Sequence, residues 1–181
     1  MPRRSSPRID PLPFEDWNES ITRLAPDGKP FNIFKTLANH PELMRRWIVF
    51  GNHILSKSTL PAREREIAIL RIGWLCQSEY EFGQHTRIGL DSGMTEAEIV
   101  AVTKDIDAGE WSDKDRAILA ATDELHANYD ISDETWAALA ADWSTEQMMD
   151  LVFSVGQYTL VSMALNTFGV QLDKGVRPFP A

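Results

Sequence analysis

Apolar residues along this chain recur at the spacing of helices. No segment keeps the two-residue alternation of a half-buried strand, whereas apolar side chains return every three or four positions. In the stretch 41–56, for example, Leu43, Trp47, Phe50 and Ile54 would share one helix face. The pattern therefore predicts an all-α fold.

Start and stop signals divide the chain into helices. Capping boxes, in which a hydroxyl residue precedes Glu or Gln by three positions, begin at Ser78, Thr95 and Ser144. Pro41 and Pro61 are expected at first helical positions, and Gly169 is expected to end the last helix. The predicted helices cover residues 14–24, 32–38, 41–56, 61–76, 79–91, 96–105, 113–128, 133–142 and 145–168.

The last predicted helix is apolar around most of its circumference, which is typical of a helix buried in a fold or against another subunit. It also carries a polar stripe at a spacing of four residues: Ser154, Tyr158, Ser162 and Asn166. These groups either bond the backbone and each other or form the polar wall of a pocket.

Length and charge restrict the function classes. A chain of 181 residues suits one domain, so we expect an irregular tail over 1–13 and one helical domain over 14–181. The net charge of −9 argues against a nucleic-acid partner. Neither a signal peptide nor an apolar run of about 18 residues stands out, so no membrane partner and a cytoplasmic location are expected. The single cysteine, Cys76, excludes an intrachain disulfide.

Candidate chemistry is concentrated between residues 60 and 85. One continuous helix would separate Glu66 from His85 by about 28 Å. A break at Ser78 would instead start a second helix, antiparallel to the first, with Glu81 and His85 on one face. Glu66 comes within reach of that face only if the two helices cross suitably.

Three sequence runs resemble the carboxymuconolactone decarboxylase family, which includes the alkylhydroperoxidase D-like proteins. They are Leu-Pro-Ala-Arg-Glu-Arg-Glu ending at Glu66, Glu-Tyr-Glu-Phe-x-x-His ending at His85, and Gly-Met-Thr-Glu-x-Glu-Ile over 93–99. The flanking runs 31–41 and 166–173 are similar to many members, so the resemblance covers about 31–173. It implies an alkylhydroperoxidase D-like helical bundle that assembles as a homo-oligomer, a trimer or hexamer.

The peroxidase branch of this family uses a Glu, a Cys-x-x-Cys pair and a His. Glu66 and His85 match the outer members, while Ser78 and Glu81 stand at the two cysteine positions. Disulfide-cycling peroxidase chemistry by the family mechanism is therefore excluded. Cys76 lies near a helix C-terminus, which disfavours a thiolate, so it is interpreted as a small apolar core residue.

One function class that remains open is proton transfer, which would fit the decarboxylase branch of the family, where a small carboxylated lactone loses CO₂. His85 would be the general acid or base, Glu66 or Glu81 would orient it or share its proton, and Tyr80 would donate to a developing oxyanion. We expect a lyase acting on such a lactone or a related organic acid, without a cofactor.

The predicted substrate-binding residues are Ser78 and Arg71, with Arg87 as a further candidate for a substrate carboxylate. Glu81 and His85 lack an evident third ligand, so no metal is expected.

Simpler interpretations of these residues stay open. Glu81 could only cap a helix, His85 could be a core histidine, Glu66 a surface charge and Tyr80 a packing residue. The alternative functions are a peroxiredoxin-like antioxidant, disfavoured by the missing cysteines, and a non-catalytic oligomer that binds a small molecule. Convergence of these four side chains on an enclosed cavity would favour catalysis.

Overall fold

The computed structural model describes residues 4–180, and these form nine α-helices with no strand among them. The first three residues of the predicted tail and Ala181 lie outside the described range. The all-α prediction is confirmed. The helices are α1 (Glu19–Thr22), α2 (Asn32–Leu37), α3 (Pro41–Ser56), α4 (Ala62–Leu75), α5 (Glu79–Asp91), α6 (Glu96–Ala101), α7 (Asp113–Asn128), α8 (Asp133–Ala140) and α9 (Thr145–Phe168).

Local capping signals fix most helix boundaries. The capping boxes at Thr95 and Ser144 both form, and Gly169 ends α9 in the left-handed region at φ 70°. The predicted helix 14–24 is wrong, because extended backbone at Asn18 separates a short 3-10 turn from α1. The side chain of Asn18 then accepts from the amide of Ser20 and restarts the helix.

The capping box predicted at Ser78 does not form, although α5 begins there as expected. Ser78 is fully buried and its hydroxyl makes no cap bond, while the Glu81 carboxylate turns to His85. A bond between a carboxylate and a charged imidazole joins two ions, so it is stronger than a bond from the same carboxylate to a neutral backbone amide. Glu81 therefore bonds His85 and does not cap α5. Pro61 likewise precedes α4 as its N-cap residue and is not its first helical residue.

Helices α4 and α5 form the centre of the fold as an antiparallel pair. Residues 65–73 of α4 are all buried, and α7 and α9 pack around them. Helix α9 is long and apolar enough to cross a membrane by length and composition, but half of its most apolar window is buried inside the fold. Such burial is also expected of a central core helix in a bundle.

Helix α3 presents a different face from the one predicted. Met44, Ile48 and Ile54 are buried, whereas Leu43 and Phe50 are exposed. The reason is that α3 packs between α1 and α2 on one side and α9 on the other, which rotates its core stripe.

The segment after α9 runs back across α5. The ring of Phe179 packs edge-on against Trp74 and Phe82. A Cβ atom added at Gly83 would lie 2.3 Å from the carbonyl oxygen of Arg177 and 2.5 Å from Val176. This close backbone contact therefore requires glycine at position 83.

We expect Gly83→Ala to destabilise the fold by roughly 1–3 kcal/mol, the usual cost of forcing an extra carbon into a packed contact. The free energy of unfolding in urea measures it. Gly156→Ala is the matched control, since a Cβ added at this exposed position of α9 meets nothing within 4 Å. The control should be neutral or gain up to about 1 kcal/mol. Equal losses in the two variants would contradict the proposed contact.

Candidate active site

The crossing of α4 and α5 brings together three ionisable side chains far from one another in sequence. His85 Nδ1 lies 2.6 Å from Glu66 Oε2, and His85 Nε2 lies 2.9 Å from Glu81 Oε1. Glu66, Glu81 and His85 are 0%, 4% and 5% exposed. We call this arrangement the Glu–His–Glu triad.

The charge state of the triad follows from a competition between burial and neighbouring charge. Burial lowers the pKa of His85, but the charges and hydrogen bonds of Glu66 and Glu81 outweigh it and raise the pKa to about 10. At neutral pH the ring is therefore an imidazolium that donates from both nitrogens. Arg65 Nε donates to the second oxygen of Glu66 at 3.2 Å, so two carboxylates face two cations.

A largely apolar cavity of about 170 Å³ lies against one side of the triad. Glu81 and His85 belong to its wall, whereas Glu66 lies behind His85 and does not line it. A cavity of about 150 Å³ lined by hydrocarbon is enough for one benzene ring. The other lining residues are Phe31, Ile33, Phe34, Trp47, Ile48, Gly51, Asn52, Leu55, Tyr80, Gln84, Arg87, Ile88, Gln157, Tyr158 and Val161.

Tyr158 lies in the cavity wall beside His85, although the sequence pattern placed it only in the polar stripe of α9. Its ring packs edge-on against His85 with centroids 4.7 Å apart, and it lines the cavity. Burial and then the charges of Glu81 and Glu66 raise the pKa of its hydroxyl well above the usual value of 10. The hydroxyl is thus a neutral donor at every working pH. Its four-residue spacing from Ser154 on α9, which predicted a polar stripe, was the available signal.

The polar stripe of α9 does not have one role. One of its residues bonds the backbone and another lines a cavity, so each of the two interpretations holds for part of the stripe. Asn166 donates to the backbone carbonyl of Cys76 at 2.9 Å, as the simpler interpretation expects. Tyr158 instead forms part of a cavity wall. Ser154 is fully buried and its hydroxyl makes no hydrogen bond within residues 4–180.

The hydroxyl of Tyr80 is already occupied, which corrects its predicted role. It donates to Asp173 and accepts from the amide of Ile33 and the side chain of Gln84. Burial and the Asp173 carboxylate raise the pKa of Tyr80 far above its usual value. Tyr80 contributes its ring to the cavity but has no proton free for a substrate oxyanion.

The two predicted substrate-binding residues do not reach the cavity. Arg71 is held by both oxygens of Asp123 at 2.6 Å and by the carbonyls of Val102 and Lys104, so its guanidinium is committed to joining helices. Ser78 is buried away from the lining set. Arg87, by contrast, is exposed at the cavity and makes no ion pair with the described part of the chain.

Cys76 lies on another face of the molecule and is half-buried. Burial raises the pKa of its thiol, against opposing hydrogen bonds from Ser162 and Thr159. Within residues 4–180 no group of three or more His, Cys, Asp and Glu side chains could hold a metal ion.

The family model for the carboxymuconolactone decarboxylase family matches residues 41–124, the range that contains the whole triad. No curated protein matches the chain. The fold is similar to several solved structures of low sequence identity. One is a peroxidase-related protein of Ralstonia eutropha JMP134 with an alkylhydroperoxidase AhpD core, at TM-score 0.83, 17% identity and 94% coverage of each chain.

A second is a peroxidase-related protein of Silicibacter sp. TM1040, at TM-score 0.76 and 14% identity, covering 96% of this chain and 93% of that one. A third is the debrominase Bmp8, in complex with 2,3,4-tribromopyrrole, at TM-score 0.77, 13% identity and 94% coverage of each chain. The family-model match and these similar folds fit the carboxymuconolactone decarboxylase and AhpD-like superfamily, and the chain lacks a Cys-x-x-Cys pair.

The raised pKa of His85 predicts how stability depends on pH. Because the folded value exceeds the ordinary value of about 6.5, the stabilisation is fully present below pH 6.5 and is lost as pH rises towards about 10. The expected slope is on the order of 1 kcal/mol per pH unit within that window.

Urea unfolding of the protein and of His85→Gln across this range isolates the effect, since the variant lacks only the imidazole at position 85 and keeps the other three histidines. The stability difference between the two should shrink as pH rises. A difference that stays constant or grows would show that His85 is not held as an imidazolium.

Proposed function

We propose that this protein is an acid–base enzyme that decarboxylates or isomerises a small organic acid, such as a carboxylated lactone, without a thiol. The observation that carries the proposal is the triad itself. Two of its members line an apolar cavity, and the third holds the imidazolium from behind. Paired carboxylates around a histidine can store and return one proton, which is what such chemistry requires.

The cavity walls suggest a role for each group. A substrate carboxylate one carbon away from a carbonyl would leave as CO₂, and the electron pair of the broken C–C bond would pass into the carbonyl as an enolate. The neutral hydroxyl of Tyr158 would donate to that oxyanion. Glu81, which lines the cavity, would take the Nε2 proton of His85 and pass it to the carbon, and His85 would regain a proton from water.

Arg87 is the residue best suited to bind the substrate carboxylate. It lies at the exposed end of the cavity beside Glu81 and His85 and has no ion pair in the described chain. This cation would offset the negative charge that an acid brings into a site already holding two carboxylates. Arg71, with its donors committed to Asp123 and two carbonyls, is no longer proposed for this role.

The alternative of a peroxiredoxin-like antioxidant has less support. The known structures of similar fold include peroxidase-related proteins, but no cysteine lines the triad cavity and the pKa of Cys76 is raised. A thiol that resists ionisation is a poor nucleophile towards a peroxide. The remaining alternative, a non-catalytic oligomer that binds a small molecule, would require the buried charges of the triad to have only a structural role.

Activity is best sought by incubating the purified protein with small lactones, enol carboxylates and hydroperoxides, following CO₂ release and peroxide loss. Against whichever acid reacts, His85→Ala and Glu81→Gln should each lower kcat roughly 10²–10⁴-fold, the usual contribution of a general acid or base. Glu66→Gln should also impair kcat through lost orientation of the ring. Cys76→Ser is the control and should retain nearly full activity. A loss of hydroperoxide turnover in Cys76→Ser, with His85→Ala active, would instead support a one-cysteine peroxidase.

We also propose that the chain self-assembles through α3 and α9, in the trimers or hexamers that the family resemblance implies. An apolar stripe stays exposed along α9, and the ring of Phe153 meets Phe50 of α3 edge-on. Contiguous patches of this kind mark interfaces in soluble proteins. The exposed stripe consists of Met149, Val152, Phe153, Leu160 and Met163.

The cytoplasmic location expected from the sequence stays a prediction.

Phe153→Glu should weaken this assembly, because it places a charge within the apolar stripe. Sedimentation velocity at micromolar concentration is the measurement, and a shift towards the 20.5 kDa monomer is expected. Tyr129→Asp, at an aromatic position outside the stripe that is 90% exposed, serves as the control and should leave the sedimentation coefficient unchanged. A monomeric unmodified protein would contradict self-assembly.

A further inference from the structure

Helix α2 forms one side of the triad cavity but has no cap within its own sequence. Phe31, Ile33 and Phe34 all line the cavity. Phe31 occupies the N-cap position, where its side chain offers no acceptor for the free amides of the first turn. The position of this wall therefore depends on acceptors from elsewhere in the chain.

Asp173, which follows α9, and Tyr80 of α5 supply the missing acceptors. The amide of Asn32 donates to its Oδ1 at 3.0 Å, and the amide of Ile33 donates to the hydroxyl of Tyr80 at 3.3 Å. That hydroxyl in turn donates to Asp173 Oδ2. The Asp173 carboxylate and the Tyr80 hydroxyl thus accept from two consecutive first-turn amides of α2. Asp173 lies 141 residues after Asn32 in the sequence.

The same carboxylate also holds the site helix. Gln84 of α5 donates to Asp173 Oδ2 at 2.8 Å, one residue before His85. The side chain of Asn32 donates to the carbonyls of Gln171 and Leu172 at 3.0 and 3.3 Å, which fixes the approach of the segment. Asp173 therefore joins α2, α5 and the C-terminal segment at a single point.

A second cavity, of about 290 Å³, lies on the other side of this junction. We call it the outer cavity; its walls include Asp173, Lys174 and Arg177. It shares three lining residues with the triad cavity: Phe31, Gln84 and Arg87. Asp173 accepts directly from Gln84 and from the amide of Asn32, the residue that follows Phe31. It therefore holds two of the three residues that the walls of the two cavities share.

We propose that Asp173 is a positioning residue that gates the triad cavity. Its bonds to α2, Tyr80 and Gln84 hold the shared wall in place and keep the passage from the outer cavity to the triad narrow, and their release widens that passage. Arg87 lines both cavities at this passage and makes no ion pair within residues 4–180, so an organic anion would first be held there. The inference goes beyond the proposed function and does not depend on it, because it concerns access to the cavity and not the reaction there.

The single cysteine of the chain allows a direct test of access. In a Cys76→Ser background, Val161→Cys places one thiol on the cavity wall at a position that is 4% exposed. The rate at which the neutral reagent methyl methanethiosulfonate modifies this thiol reports how often the cavity opens. Adding Asp173→Ala should raise that rate roughly 2- to 30-fold, the range that corresponds to loss of a helix cap.

Glu96→Ala, in the same Cys76→Ser, Val161→Cys background, is the matched control. It removes the exposed ion pair to Arg177 of the same segment, lines neither cavity and leaves the bonds of Asp173 intact. Its labelling rate should equal that of the parent. Amide hydrogen exchange followed by NMR should show faster exchange at Asn32 and Ile33 in Asp173→Ala, with α7 unchanged.

Equal labelling rates in Asp173→Ala and Glu96→Ala would overturn the proposal, and so would amide exchange accelerated uniformly over α7 and α2, which would indicate general destabilisation. If Asp173→Ala does not fold, Tyr80→Phe decides the question. It keeps the ring and removes only the hydroxyl, so it should speed labelling and the exchange of the Ile33 amide. No change in either quantity would overturn the proposal.

Discussion

The structure depends on burying two carboxylates and one imidazole in contact with each other. Burying any one of them alone would be costly, since an unpaired charge in the interior loses its hydration without compensation. Glu66 and His85 are 19 residues apart and lie on different helices, so their 2.6 Å contact can form only when α4 and α5 cross in one way. The left-handed conformation of Gln77, at φ 52°, makes the short link between them possible.

Small residues allow that crossing to be close. A Cβ added at Gly73 of α4 would touch the backbone of Phe82 at 3.5 Å, and one added at Gly89 of α5 would meet Leu70 at 3.2 Å. The helices therefore approach through their glycines on both sides of the triad. The apolar surroundings then strengthen every charge interaction inside, which is why neighbouring charge outweighs burial in setting the pKa of His85.

Most signals that act within one or two helical turns were predictable, with the capping box at Ser78 as an exception, and contacts that depend on distant partners were not. The boxes at Thr95 and Ser144 and the glycine at 169 gave helix ends that the structure confirms. Composition gave no means of assigning Arg71 to Asp123, its partner 52 residues away. Which of Tyr80 and Tyr158 can offer its hydroxyl to a substrate depends on Asp173, which lies 93 residues after Tyr80. The carboxylate of Asp173 accepts from the hydroxyl of Tyr80 and so occupies it.

The loss of the cysteine pair changes the chemistry of this site more than its electrostatics. Glu81 stands where the pattern of the peroxidase branch has its second cysteine, four residues before His85, and bonds the ring at 2.9 Å. A thiolate at that position would carry the same single negative charge and would stabilise the same imidazolium. A carboxylate therefore preserves the charge balance on which the crossing of α4 and α5 depends, while it removes the capacity to form a disulfide. The buried arrangement of two carboxylates around one imidazolium therefore needs no cysteine at position 81.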